Sequence, residues 1–584
     1  MKNVKYFKKD YPRVQFYRDS YLNLNGKWDF RLDYENQGEE KGYSKGFEKE
    51  YDILVPFSYN CEASLVHIDK RCDSVWYQKN INFLLLDPQA DVILHLEGSD
   101  YITTLYVNGH KVDRKKGCTY RQSYDITEFI HLGNNLLVIH CQDSFSKEQV
   151  RGKQRWKDHN FECYYKETTG IYKTVWLEYA PKTRIESLKI DTDYDKQSAK
   201  LAIGYFGEED DLSLRLMVEK DNKILQNTTY AIHKNQSNIE VLLNEDFEAW
   251  DVFHPALYEL TLMLYSKDKL LDEIHSYFGI RNIEIKDAFI YLNGKKLYQK
   301  LLLDQGYWDK SEYTAPSTDA LLSDINAMIQ MGFNGARKHQ KVEDERYLYY
   351  ADALGFLVWA EMPSMYENTE ASRQQFLYEW EKVVKQQYNH PSIITWTPLN
   401  ESWGIEHVKT SLVEQKFTLD VYNLTKKIDP YRPVITNDGW EHTISDILTL
   451  HHYEQDGKKL NSYYNTLEKI ISGIWPAHHK GAFADGYGYK GQPILISEFG
   501  GCAFSRDVQG NDWGYGESVE STAAFLDRFQ CLIDNIKAIP LICGYCYTQL
   551  TDVQQEVNGL FDASHHPKFN LKDIADIQSD SILK

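Results

Sequence analysis

The sequence predicts a multidomain chain: an N-terminal β jelly-roll, an immunoglobulin-like β-sandwich and a C-terminal (β/α)8 TIM barrel. Three observations carry this. At 584 residues the chain exceeds one ordinary domain. Its first half is written in short alternating runs broken by turn residues, the period-2 texture of antiparallel strands. From about residue 284 apolar strands alternate with helical stretches, the texture of a parallel sheet covered by helices.

Residues 1–181 hold the runs KWDFRLD, VWYQKNINF, VILHLEG, YITTLYVNG and LLVIHCQD. Asn108-Gly109 marks a tight hairpin turn among them, because both residues tolerate a left-handed backbone. After Ala180-Pro181 a fresh set begins with RIESLKIDTDY, KLAIGYF, SLRLMVE and YELTLMLYS. Residues 182–283 therefore suit an immunoglobulin-like sandwich of about 100 residues. In residues 284–584 a strand at 297–306 leads to Ser317-Thr318 and a helix. Its Leu321, Leu322, Ile325, Met328 and Ile329 recur at helical spacing, and Gly332 closes it. FNGARKHQ, FLVWAEMP, IITWTPLNE, PVITNDGW, ILTLHHY, PILISEFG and LICGYCYTQL bring the strand total to eight.

Composition removes several partners. The formal net charge is −20 and no Lys/Arg cluster offsets it, which opposes binding to nucleic acid or anionic membrane. No run of about 18 apolar residues occurs, and MKNVKYFKKDYPRVQF lacks the apolar stretch of a signal peptide. Nine cysteines without a spacing pattern predict free thiols and a cytoplasmic protein. GYGYKG (486–491) precedes a strand instead of opening a helix, so no dinucleotide is expected. Aromatics at 14% fit either strand-rich cores or stacking against sugar rings.

In such a barrel the chemistry sits at the C-terminal ends of the strands. Those ends supply Asp304-Gln305, Arg337 with His339, Glu361, Asn400-Glu401, Asn437-Asp438 with Trp440, His452-Tyr453, Glu498, and Tyr547 with Gln549. Glu401 and Glu498, ending the fourth and seventh strands, face one another across the mouth. Paired carboxyls are the working groups of glycoside hydrolysis. A lone strand-end Glu is more often a rim salt bridge; eight polar strand ends on one rim outweigh that reading.

NHPSIITWTPLNESWG (389–404) and ILISEFGG (494–501) resemble the acid/base and nucleophile strands of the retaining β-glycosidases of glycoside hydrolase family 2. PRVQFYRDSYLNLNGKWDF (12–30), TTGIYKTVWLE (168–178) and FGIRNIEI (278–285) resemble its sugar-binding jelly roll and its sandwich–barrel join. The resemblance implies Glu401 as acid/base, Glu498 as nucleophile, Asn400 on the sugar 2-hydroxyl and Arg337 beside the nucleophile. It also implies Tyr453 as a donor to Glu498, with His452 the competitor on that strand. Asp304, His339, Glu361, Asp438, Trp440 and Tyr547 complete the expected site.

There are departures from the family pattern. The histidine after the second strand is one residue early (Arg337-Lys338-His339), and the first strand ends Asp304-Gln305-Gly306. Glu361 is followed by Met362-Pro363 where β-galactosidases of the family carry a metal-binding Glu-x-His, so no metal or other cofactor is expected. Glu556-Val557-Asn558 stands where β-glucuronidases carry Asn-x-Lys, and the lost lysine disfavours an acidic sugar on charge grounds. The expected activity is therefore retaining exo-β-glycosidase on a β-galactoside. The alternatives are a β-glucuronide, β-glucoside, β-mannoside or arabinoside, and a non-catalytic carbohydrate-binding protein. Homo-oligomerisation is left open.

Overall fold

The computed structural model describes residues 4–232, 236–243, 247–472, 480–504 and 511–579. Nearest the N-terminus, a six-stranded sheet built around Gly26–Leu32, Ser74–Phe83 and Gly133–Gln142 faces a four-stranded sheet that contains Ala90–Leu96 and Val175–Pro181. Alternation fixes the inner faces. Trp28, Phe30 and Leu32 point inward from one strand, meeting Leu94, Leu105, Ile139 and Leu177. Asn108 and Gly109, at φ 51° and 81°, join Ile102–Val107 to His110–Lys116 as the turn signal predicts.

A second sandwich follows. The three strands Arg184–Asp193, Ser198–Phe206 and Gln236–Leu242 pack on a four-stranded sheet that ends with Lys269–Phe278, over Leu201, Leu214, Leu216, Leu262 and Ile274.

The barrel strands are Gln299–Asp304, Gly335–Lys338, Leu357–Glu361 and Ile393–Thr397, then Leu448–His451, Ile494–Gly500 and Ile542–Thr548. They form one parallel sheet in the order fourth, third, second, first, eighth, seventh, sixth. The strand expected at 433–440 shrinks to Asn437–Asp438, which pairs with Leu399–Asn400, plus a bridge from Val434 to Trp396. Asn, Asp and Gly are poor strand residues, and Gly439 at φ 107° ends the pairing. Ser317 caps the helix Thr318–Gln330 by accepting from Ala320 N (3.2 Å), and Gly355 at φ 65° closes Glu345–Leu354.

A short meander, Ile283–Lys286, Phe289–Leu292 and Lys295–Lys296, contributes Ile283, Ile290 and Leu292 to the cluster that fills the lumen. Leu301, Leu303, Leu357, Trp359, Ile394, Ile435, Ile447, Leu495, Cys543 and Cys546 are the barrel's share of it. These residues set the parity of each strand, and so decide which strand-end side chains look into the lumen. No helix among the described residues is long and apolar enough to cross a membrane.

Candidate active site

Parity carries Arg337 inward, two residues beyond Gly335, and buries it completely. Its guanidinium organises the site. Nε donates to Glu361 (2.7 Å) and Nη1 to Glu498 Oε1 (2.8 Å), with Asp438 Oδ2 2.6 Å from the same nitrogen. Nη2 donates to Asn400 Oδ1 (2.6 Å) and to His339 Nδ1 (3.1 Å). His339 can accept because burial, and then the charges of Lys153 and Arg337, push its pKa well below the ordinary value and leave it neutral. Asn400 Nδ2 is buried and has no partner among the described residues.

Glu498 follows a register shift in the seventh strand, where Ser497 and Glu498 both turn into the lumen. Tyr453 Oη donates to Glu498 Oε2 at 2.5 Å. Glu401 lies just past the fourth strand in a left-handed backbone (φ 51°), pinned by its amide donating to Asp438 O (2.8 Å). Between the two stands His451. Its Nδ1 lies 2.8 Å from Glu401 Oε1 and 3.4 Å from Glu498 Oε2, and its Nε2 lies 3.0 Å from Asp438 Oδ2. Trp440 meets the His451 ring edge-on.

The electrostatics separate the two glutamates. Burial favours the protonated form of both, and for Glu401 it prevails: with the charge of Glu498 added, its pKa is raised. For Glu498 burial is outweighed by His451 and Arg337, which hold it below the ordinary carboxylate value. His451 resists burial because Glu498 and Asp438 favour its charged form, raising its pKa to about 10. Glu401, His451 and Glu498 bring facing ligand-type atoms within 4.8 Å of one another. The protonated ring of His451 supplies the positive charge at their centre.

Three expected site residues lie elsewhere, for one reason. Leu301 and Leu303 point inward, so Asp304 points outward, where it accepts from Lys338 Nζ (2.7 Å); Gln305 takes the inward position. On the sixth strand His451 faces the lumen, while His452 packs outward against Tyr463 and Tyr464 of the helix Gly457–Tyr464. Tyr547 likewise packs between Phe499 and Phe529 of the helix Thr522–Lys537.

The site also contains groups absent from the strand-end reading. Residues 143–168 reach from the first sandwich onto the barrel. There Arg151 N and Gly152 N donate to Ser364 O, both at 3.0 Å. This loop delivers Lys153 and Tyr165. Tyr165 Oη donates to Glu556, Asn558 Nδ2 donates to Glu556 Oε1 (2.9 Å), and Gln305 Nε2 donates to Gln549 Oε1 (2.6 Å). Lys153 Nζ lies 4.0 Å from Glu556 Oε2. No sequence signal places Lys153 here, whereas alternation along ILTLHHY picks out His451.

The profile for glycosyl hydrolases family 2, TIM barrel domain, matches residues 283–512, and that for glycosyl hydrolases family 2 matches 183–281. The chain belongs to glycoside hydrolase family 2. A beta-glucuronidase from Streptococcus agalactiae is 24% identical over 96% of both chains. A beta-galactosidase from Thermoanaerobacter pseudethanolicus is 24% identical over 61% of this chain and 48% of its own. The chain thus spans about half the length of some relatives it matches. Among solved structures, an uncultured Clostridium sp. beta-glucuronidase superposes with a TM-score of 0.77 over 97% of this chain and 98% of its own; at 19% identity this is a likeness of fold.

Proposed function

We propose that the protein is a retaining exo-β-glycosidase in which Glu498 attacks the anomeric carbon and Glu401 protonates the departing oxygen. The observation that carries this reading is the approach of the two carboxyls, whose facing oxygens lie within 4.8 Å. Retaining enzymes hold their carboxyls about 5–5.5 Å apart, and inverting ones about 6.5–9.5 Å to admit a water. The directions of the shifts agree with the roles: His451 and Arg337 favour the ionised form of Glu498, as a nucleophile requires, while burial and the charge of Glu498 favour the protonated form of Glu401. After the first step Glu401 is a carboxylate and takes a proton from the water that releases the sugar. Asn400 Nδ2 is the donor for the 2-hydroxyl, and Arg337 and Tyr453 hold the nucleophile. In this reading the chain divides at about residues 181 and 283, with the jelly roll walling one side of the pocket.

The favoured sugar is a β-glucuronide in place of the β-galactoside expected from the sequence. A relative that matches nearly end to end is named for glucuronides, whereas the galactosidase relative matches over a part. The charge argument against an acidic sugar also loses its premise, because Lys153 stands beside Glu556.

Glu498→Ala is expected to lower kcat on aryl β-glycosides by at least about 10³-fold. Azide should restore part of it and give the inverted glycosyl azide. A rescued product of retained configuration would remove Glu498 from the role. Glu401→Ala should still form the glycosyl-enzyme from dinitrophenyl glycosides, whose leaving group needs no proton. Equal loss on dinitrophenyl and alkyl glycosides contradicts that role, and no turnover of any aryl β-glycoside by the native protein leaves the carbohydrate-binding alternative.

A further inference from the structure

Lys153 is a buried ammonium whose hydrogen-bonding capacity is unspent. Its side chain is 8% exposed, and Glu556 Oε2 at 4.0 Å is beyond hydrogen-bond range. Glu556 has other donors, Tyr165 Oη and Asn558 Nδ2. The rings of Tyr165 and Trp403 lie 5.8 and 5.9 Å from Lys153 Nζ and offer it faces, not acceptors. An ammonium with so little access to water calls for acceptor oxygens. The group is also held in place. The backbone on either side is tied to the barrel at Ser364 O, and Tyr165 N donates to Lys153 O (2.8 Å). The same Trp403 ring meets His339 edge-on at 6.2 Å, and His339 Nδ1 lies 4.0 Å from Glu498 Oε1. Through Trp403 the ammonium is thus a neighbour of the group that would attack the sugar.

We propose that Lys153 binds the carboxylate of the substrate's sugar ring, so that the substrate class is β-uronosides and the acidic-sugar anchor comes from the jelly-roll loop instead of the barrel. This rests on the glycosidase reading above. Lys153 bridges Glu556 on one side and the incoming carboxylate on the other. A charged donor of this kind separates a carboxylate from the neutral hydroxymethyl of the same size.

The test compares kcat/KM for 4-nitrophenyl β-D-glucuronide and 4-nitrophenyl β-D-glucoside, which differ only at C6, in the full-length protein. The native enzyme should favour the glucuronide. Lys153→Met should reduce the ratio of the two by about 100-fold, and Lys153→Arg should keep most of it. Glu556→Gln removes the competing anion and should leave the glucuronide KM unchanged or lower. A native preference for the glucuronide that Lys153→Met leaves intact overturns the role of Lys153 alone. A native preference for the glucoside overturns the uronoside class while the glycosidase reading stands, and no turnover of either substrate removes that reading too. Should Lys153→Met fail to fold, Glu556→Gln decides: a raised glucuronide KM means the pair binds hydroxyls, and the proposal falls.

Discussion

His451 faces Glu401, Glu498 and Asp438, and Arg337 reaches Glu498, Asp438 and Glu361, so two cations share the site's carboxylates. Their placement predicts the pH profile. Under the proposed mechanism, activity needs Glu498 ionised and Glu401 protonated. The lowered pKa of Glu498 carries the acid limb below the ordinary carboxylate range, and the raised pKa of Glu401 carries the basic limb above it. Replacing His451 by Asn removes a positive charge beside both groups, so both pKa values rise. The bell of kcat/KM should move to higher pH by about one unit, with both limbs shifting together. A fall in kcat with the limbs unmoved would reduce His451 to a packing role. At this scale the sequence was readable to within one position. Strand ends were found, but Asp304, His452 and Tyr547 were taken where alternation turns the side chain outward, and His451 was passed over. Counting parity from Leu303 and Ile447 separates Asp304 and His452 from their lumen-facing neighbours, but it fails on the seventh and eighth strands, where register shifts turn both Ser497 and Glu498, and both Cys543 and Cys546, inward.

Among the elements, the loop 143–168 matters most, because it is the part of the first sandwich that docks on the barrel beside Glu556. Gly152 makes its docking possible: it has φ +58°, and an added Cβ would meet Gln340 O at 2.6 Å and Pro363 at 3.0 Å. Gly152→Ala must therefore lift the loop off the barrel and move Lys153. Turnover of the preferred substrate should fall about 10- to 100-fold while circular dichroism shows the fold retained. Unchanged turnover would mean that the loop does not position substrate. The fifth barrel position gives the complementary lesson. A stretch that reads as a strand, PVITNDGW, forms only a two-residue ladder at Asn437–Asp438 and a single bridge at Val434. Asn437 and Asp438 spend their side chains on Ser402 N and on His451 and Ser497. Elements read from periodicity were placed correctly where packing decides them and failed where polar residues bond across the site.

The whole molecule is held as one unit by contacts between sandwich and barrel. Glu379, buried on the helix Glu370–Gln387, accepts from Cys118 N (3.0 Å), Thr119 N (3.2 Å) and Thr119 Oγ1 (2.8 Å) of the first sandwich. Gly117 leaves room for it, since an added Cβ would meet the carboxyl carbon at 2.7 Å. Glu379→Ala leaves three buried donors without an acceptor and should cost about 2–4 kcal/mol, read as a lower denaturation midpoint. No loss of stability would show that water replaces the carboxylate. The sequence by itself determined the three layers of architecture, the family resemblance and the two opposed glutamates. Each of these is written in local periodicity or in short contiguous motifs. Only the tertiary structure decided that Lys153 joins a site built from residues 305–558, that His451 stands between the glutamates, and that Arg337 gathers Glu361, Asn400, Asp438 and Glu498. Such contacts span tens to hundreds of residues of chain; alternation can tell which face a side chain such as His451 takes, but only the packed structure fixes what it meets there.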